Sequence, residues 1–91
     1  MQYVQITVEG KVQGVFFRKH TQQVAIRLRL NGFVCNKRNG SVYIEASGTS
    51  ENVQQLIDWC RKGPERAIVT AVKSSNIDPQ VYRNFEIRST E

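Results

Sequence analysis

The first residues of the chain alternate between apolar and polar side chains. From Tyr3 to Glu9 every second residue is apolar. This period of two predicts a strand with one buried face. The stretch from Gly10 to Arg18 holds two glycines and has no stable period, so it predicts a loop. The apolar residues of the strand are Val4, Ile6 and Val8.

Two later segments have helical spacing instead. The first runs from His20 to Leu30, and Asn31-Gly32 after it is a fitting helix stop. The second begins after Thr49 or Ser50, either of which can cap a helix, and runs to about Lys62. The apolar stripes are Val24, Ala25 and Leu28 in the first helix, and Val53, Leu56, Ile57 and Cys60 in the second.

Four further strands are expected around the second helix. Two of them, Phe33–Lys37 and Val42–Ala46, flank the turn 38–40, whose Asn-Gly pair is a strong hairpin signal. The others follow at about Ala67–Ser75 and at Phe85–Arg88.

The resulting order is β-α-β-β-α-β with a short extra strand at the C-terminus. Two helices spaced in this way bury their stripes by packing on one face of a single antiparallel sheet. Right-handed crossovers then give an α+β, ferredoxin-like split arrangement with strand order 4-1-3-2. No repeat or linker interrupts the chain. We therefore expect one domain over residues 1–91, with the last strand at an edge of the sheet.

Composition and charge narrow the classes of function. The formal net charge is +5, from 13 basic and 8 acidic residues, which fits an anionic partner. No apolar run approaches the roughly 18 residues of a membrane helix, and the N-terminus does not resemble a signal peptide. We expect a cytoplasmic protein with no membrane partner.

The two cysteines, Cys35 and Cys60, lie far apart and form no C-x-x-C pair. With a single histidine in the chain, this argues against a zinc site and against a dithiol redox pair. The strand pattern places Cys35 on the open face of the sheet, as a partly exposed thiol. Cys60 falls in the core stripe of the second helix, so we expect no disulfide between them.

The loop from Gly10 to Arg18 has the residues of an anion cradle. A glycine allows positive φ, which lets successive N–H groups point into one concavity. The start of the following helix adds partial positive charge, and Arg18 adds a full one. Glycine spacing alone is weak evidence, and an ordinary connection ending in a surface arginine would look the same.

Two longer motifs make the interpretation specific. Residues 10–18 read GKVQGVFFR, and residues 32–42 read GFVCNKRNGSV, with Gly48 six positions later. Together they resemble the two signatures of the acylphosphatase family, small ferredoxin-like hydrolases of the carboxyl–phosphate bond. The resemblance extends from about Val4 to Arg88. Cys35 departs from the pattern, because the family usually has a lysine or arginine there.

The resemblance implies the residues of the site. Arg18 matches the family's catalytic arginine and Asn36 its catalytic asparagine. The phosphate-binding loop maps onto residues 13–18, which are Gln13, Gly14, Val15, Phe16, Phe17 and Arg18. An arginine offers phosphate a planar fork of donors, and an asparagine amide can orient a water molecule.

The implied reaction needs little beyond positioning. An acyl phosphate expels a carboxylate whose parent acid has a pKa of about 4, so no proton donor is required. The substrate would be a small acyl phosphate, with inorganic phosphate or sulfate as competitive ligands and with no metal or cofactor. We leave His20 out of the catalytic set, because a helix N-terminus disfavours its cation. A monomer is expected.

Two other functions fit the same topology. A single-stranded RNA-binding module could stack bases on Tyr3, Phe33 and Tyr43 of the open sheet face. The third strand lacks that module's aromatic motif, so we do not expect a nucleic acid partner. A non-catalytic anion sensor would keep the cradle, but the presence of both Arg18 and Asn36 argues for the enzyme.

Overall fold

The computed structural model describes residues 1–91 and contains five strands and two helices. In chain order they are β1 (Gln2–Lys11), α1 (Phe17–Arg27), β2 (Asn31–Asn36), β3 (Val42–Gly48), α2 (Ser50–Lys62), β4 (Ile68–Asn76) and β5 (Phe85–Ile87). The strands form one sheet in the order β4-β1-β3-β2-β5. The pair β2–β5 is parallel and the other pairs are antiparallel. The predicted ferredoxin-like topology is confirmed, with the short strand added beside β2.

The alternation of β1 gives the sheet its buried face. Val4, Ile6 and Val8 are almost completely buried, and Ile6 lies opposite Ile44 of β3. Both helices cover this face, and the predicted stripe of α2 lies in the same core cluster. Cys60 belongs to that stripe as expected, and its burial raises the pKa of the thiol to about 12.

Helix α1 is displaced by three residues toward the N-terminus from the predicted range His20–Leu30. It ends because Arg29 adopts a left-handed conformation with φ 58°. The N–H of Leu30 then donates to the carbonyl of Ala25, and the N–H of Arg29 donates to that of Ile26. This pattern is a Schellman motif with arginine at the position that glycine usually takes. The predicted stop at Asn31-Gly32 is wrong.

Gly32 is instead required by the packing of β2 against β3. Its φ is +146°, and a Cβ at this position would lie 1.9 Å from the carbonyl oxygen of Glu45 on β3. The pair β2–β3 therefore needs a residue without a side chain here. The glycine that looks like a helix stop is required by the close approach of a neighbouring strand.

Helix α2 begins and ends where the sequence predicts. The hydroxyl of Thr49 accepts a hydrogen bond from the N–H of Asn52 at 3.2 Å, so Thr49 is the N-cap. At the other end Gly63 donates its N–H to the carbonyl of Trp59. Neither helix is long and apolar enough to cross a membrane.

The second face of the sheet is partly covered at β2, contrary to the expectation of an open surface. The guanidinium of Arg88 lies 3.8 Å from the centre of the Phe33 ring, and the centre of the Tyr82 ring lies 6.4 Å from it. Phe33 is consequently only 6% exposed. Tyr43 donates its hydroxyl proton to the carboxylate of Glu45 at 2.6 Å. This arrangement does not favour the RNA-binding alternative, because Phe33, one of the three rings on which bases would stack, is covered.

The same cover corrects the prediction for Cys35. The cysteine is on the predicted face of β2, but its side chain is completely buried rather than partly exposed. It lies opposite Tyr43 of β3, and Glu91 donates its N–H to the neighbouring carbonyl of Asn36. Burial raises the pKa of the Cys35 thiol, and the negative charge of Glu91 raises it further.

Candidate active site

The loop between β1 and α1 contains two residues with left-handed backbone conformations. Gly14 has φ +75° and Phe16 has φ +63°. Phe16 is the N-cap of α1, where no side chain accepts from the first N–H groups, and the first turn has no acidic residue. The N–H donors and positive end of the helix are therefore left available at this end of the sheet.

Phe17 anchors the start of α1 to α2. Its side chain is 2% exposed, and its ring lies 5.3 Å from the ring of Trp59, centre to centre. A Cβ on Gly63 would come within 2.7 Å of the Phe17 ring. The residue that follows α2 must therefore be a glycine to leave room for this ring. The loop conformation therefore rests on the helix layer, and Trp59 is a half-buried packing residue as predicted.

Gln13 joins the loop to the turn between β2 and β3. Its side-chain amide donates to the carbonyl of Lys37 at 2.7 Å and to that of Ser41 at 2.9 Å. Both carbonyls belong to the segment that directly follows Asn36. The side chain of Gln13 thus fixes the loop relative to the end of β2.

Arg18 and Asn36 line one cleft of about 320 Å³. Arg18 is in the first turn of α1 and Asn36 is the last residue of β2, and both are half-buried. Asn36 lies opposite Val42, so its side chain is on the core face of the sheet. Neither side chain forms a hydrogen bond or an ion pair within the protein. The cleft therefore contains an arginine fork and an amide that are both free to bind a ligand.

The six residues of the predicted phosphate-binding loop do not all line this cleft. Gly14, Phe16, Phe17 and Arg18 do. Gln13 reaches the β2–β3 turn instead, and Val15 is buried, at 5% exposure, facing α2. Four of the six predicted loop residues therefore line the cleft, while Gln13 is bonded to the turn and Val15 belongs to the core.

Sequence reasoning missed three cleft residues, which are Val12, Lys19 and Ile87. Val12 directly precedes the predicted phosphate-binding loop and is buried. Lys19 follows Arg18 in the first turn of α1, and its position beside a predicted cradle was the available signal. Ile87 belongs to β5 and reaches the cleft only because β5 pairs with β2. No local pattern in the sequence indicates that pairing.

His20 and Lys37 lie near the cleft, and each has a partner. His20 Nδ1 is 2.9 Å from the carbonyl oxygen of Phe16, which can only accept, so Nδ1 carries the proton. The ammonium of Lys37 is 3.3 Å from the carboxylate of Glu91 and 4.7 Å from the centre of the Tyr43 ring. His20 therefore supports the loop, and Lys37 is directed toward the tail.

Comparison with known proteins identifies the family. The acylphosphatase family model matches residues 4–87. An acylphosphatase of Syntrophus aciditrophicus is 54% identical over 69 residues, which cover 76% of this chain and 72% of the relative. One of Thermotoga petrophila is 40% identical over 97% of this chain and 98% of its own length. The solved acylphosphatase of Coxiella burnetii superposes with a TM-score of 0.93 at 37% identity, covering 96% of this chain and 92% of that one. The chain belongs to the acylphosphatase family.

Proposed function

We propose that the protein hydrolyses the carboxyl–phosphate bond of small acyl phosphates to a carboxylate and inorganic phosphate. The observation that carries the proposal is the cleft shared by Arg18 and Asn36, which the fold brings together from a helix start and a strand end. Family membership supports the same reaction. The anion-sensor alternative would need the cradle but not the amide of Asn36 beside it.

Arg18 and the loop bind the phosphoryl group in this proposal. The guanidinium is half-buried and has no protein anion beside it, so it can form two parallel hydrogen bonds to phosphoryl oxygens. The N–H groups of the loop and of the first turn of α1 add donors and the positive end of the helix dipole. These donors stabilise the charge on the equatorial oxygens as the bond breaks.

Asn36 orients the attacking water. Its amide carbonyl accepts a hydrogen bond from the water and holds the oxygen in line with the bond to the acyl group. The new P–O bond forms as the bond to the acyl oxygen breaks, and the acyl group leaves as a carboxylate. The water proton goes to an oxygen of the transferred phosphoryl group, so the protein supplies neither an acid nor a base.

The conditions of the reaction are part of the proposal. The polar side chains of the cleft are the Asn36 amide and the cationic groups of Arg18 and Lys19, and they include no carboxylate, thiolate or imidazole that would hold a metal ion. We propose that the enzyme works without metal or cofactor, as a monomer in the cytoplasm, with phosphate and sulfate as competitive ligands.

The direct test is the hydrolysis of benzoyl phosphate by the purified protein in excess EDTA. We expect turnover, with a rate that is unchanged by added magnesium. Arg18→Ala protein purified in the same way controls for a contaminating phosphatase. Absence of turnover by the wild-type protein would contradict the proposed reaction, and loss of turnover only in EDTA would contradict metal independence.

A further inference from the structure

A groove between α1 and α2 lies directly beside the cleft. Its volume is about 600 Å³, compared with about 320 Å³ for the cleft, and it is therefore large enough for a small organic group. The apolar part of its lining includes Val15, Phe16, Trp59 and Pro64, and half of its lining residues are polar or charged. Neither Arg18 nor Asn36 lines this groove.

Phe16 lines both the groove and the cleft. Its side chain is 66% exposed, and its backbone has the left-handed conformation that a bulky residue rarely adopts. The carbonyl of Phe16 accepts from His20 twice, from the backbone N–H at 3.1 Å and from Nδ1 at 2.9 Å. The Phe16 ring is thus held at the boundary between the groove and the cleft. Because the ring is exposed, packing in the core does not explain the strained backbone.

The geometry of the reaction indicates which part of the substrate could enter the groove. An in-line displacement places the attacking water and the leaving group on opposite sides of phosphorus. The amide of Asn36, which orients the water, is on the cleft side of Phe16. Asn36 does not line the groove, and Phe16 is the residue that the groove shares with the cleft, so an acyl group directed away from Asn36 can extend past Phe16 into the groove.

We propose that the groove binds the acyl group of the substrate, and that Phe16 makes the enzyme prefer acyl groups with a bulky apolar body over acetyl. Phe16, Trp59 and Pro64 offer such a body apolar and aromatic surface, whereas an acetyl group is too short to reach it. This inference rests on the Proposed function and names the class of substrate for that site.

The test compares kcat/KM for benzoyl phosphate with kcat/KM for acetyl phosphate. Phe16→Asn removes the ring and keeps a residue that tolerates the left-handed backbone. Gln23→Trp fills the groove from an exposed position of α1, since helical side chains lean toward the N-terminus and so toward the loop. Ile26→Trp, on the same helix but outside the groove, is the matched control.

We expect each groove variant to lower the ratio of benzoyl to acetyl kcat/KM by about tenfold, the size of one lost aromatic contact. Gln23 is outside the phosphate-binding loop and the cleft, so Gln23→Trp should leave the inhibition constant of inorganic phosphate within about twofold of the wild-type value. Ile26→Trp should leave the ratio unchanged. A wild-type protein that hydrolyses both substrates, with the same ratio in Phe16→Asn and Gln23→Trp, would overturn the acyl subsite alone. A wild-type protein that hydrolyses neither would overturn the Proposed function.

Discussion

Replacing Gly14 by alanine should weaken phosphate binding without changing the chemistry of any side chain in the cleft. Gly14 has φ +75°, and a Cβ added there would have no atom within 4 Å, so the only effect is backbone strain. A left-handed L-residue costs roughly 1–2 kcal/mol. Because nothing packs against this position, the free loop can relieve the strain by moving, and phosphate binding must restore the bound conformation. We therefore expect phosphate affinity to fall by about 5- to 30-fold.

Gly40→Ala is the matched control for this prediction. Gly40 also has positive φ, at +97°, and also has no atom within 4 Å of an added Cβ, but it lies in the β2–β3 turn and does not line the cleft. Its strain should lower Tm by about 4–8 °C per kcal/mol while leaving phosphate affinity unchanged.

Thermal unfolding at several phosphate concentrations measures both effects, because a ligand that binds only the folded state stabilises it by RT ln(1 + [L]/Kd) and raises Tm accordingly. Wild-type protein and Gly40→Ala should show the same phosphate-dependent rise, and Gly14→Ala a smaller one. The reasoning would be refuted by normal phosphate binding in Gly14→Ala, or by equal weakening in both variants.

Three further predictions concern a sheet glycine, the support of the loop and the pH dependence of stability. Gly32→Ala should destabilise the protein by more than about 3 kcal/mol in urea unfolding, since its Cβ would lie 1.9 Å from the Glu45 carbonyl oxygen; stability within about 1 kcal/mol of wild type would contradict the account of this glycine. Gln13→Ala should remove two hydrogen bonds to the β2–β3 turn, although the Lys37 and Ser41 carbonyls keep their backbone donors. It should destabilise the protein by about 1–3 kcal/mol and lower kcat, because the loop and Asn36 are no longer held together; an unchanged kcat would show that Gln13 does not position the site. Stability should fall as pH rises above about 9–10, because the buried thiols and the hydroxyls of Tyr43 and Tyr82 have raised pKa values and so favour folding only while protonated; a flat urea-unfolding profile from pH 8 to pH 11 would contradict those shifts.

Sequence patterns predict most of the fold because each element is specified locally. The alternation of β1, the Thr49 cap and the Asn-Gly turn each act over a few residues, and the topology follows from burying the helix stripes. The end of α1 could not be predicted in this way. Arg29 takes the left-handed position of the Schellman motif, and Gly32, which looks like the stop, is needed by β3.

The residues of the site differ in the same way: local motifs predict some of them, and others depend on contacts between distant segments. Arg18 and Asn36 stand in motifs that a single sequence displays, so the residues of the cleft could be named before the structure. Ile87 could not, since it depends on the parallel pairing of β5 with β2. The burial of Cys35 was missed for a related reason: its alternation was interpreted correctly, but the tail that covers that face is distant in sequence and carries no periodic signal.

In the proposed mechanism Arg18 binds the phosphoryl group and Asn36 orients the water. The turnover of Asn36→Ala, measured together with its affinity for inorganic phosphate, tests this difference. Removing the amide should lower kcat by about two to three orders of magnitude while phosphate still binds, because the loop and Arg18 are intact. Arg18→Lys keeps the charge but loses the two-pronged geometry, so it should lose both. A fully active Asn36→Ala protein, or a folded one that no longer binds phosphate, would contradict the account.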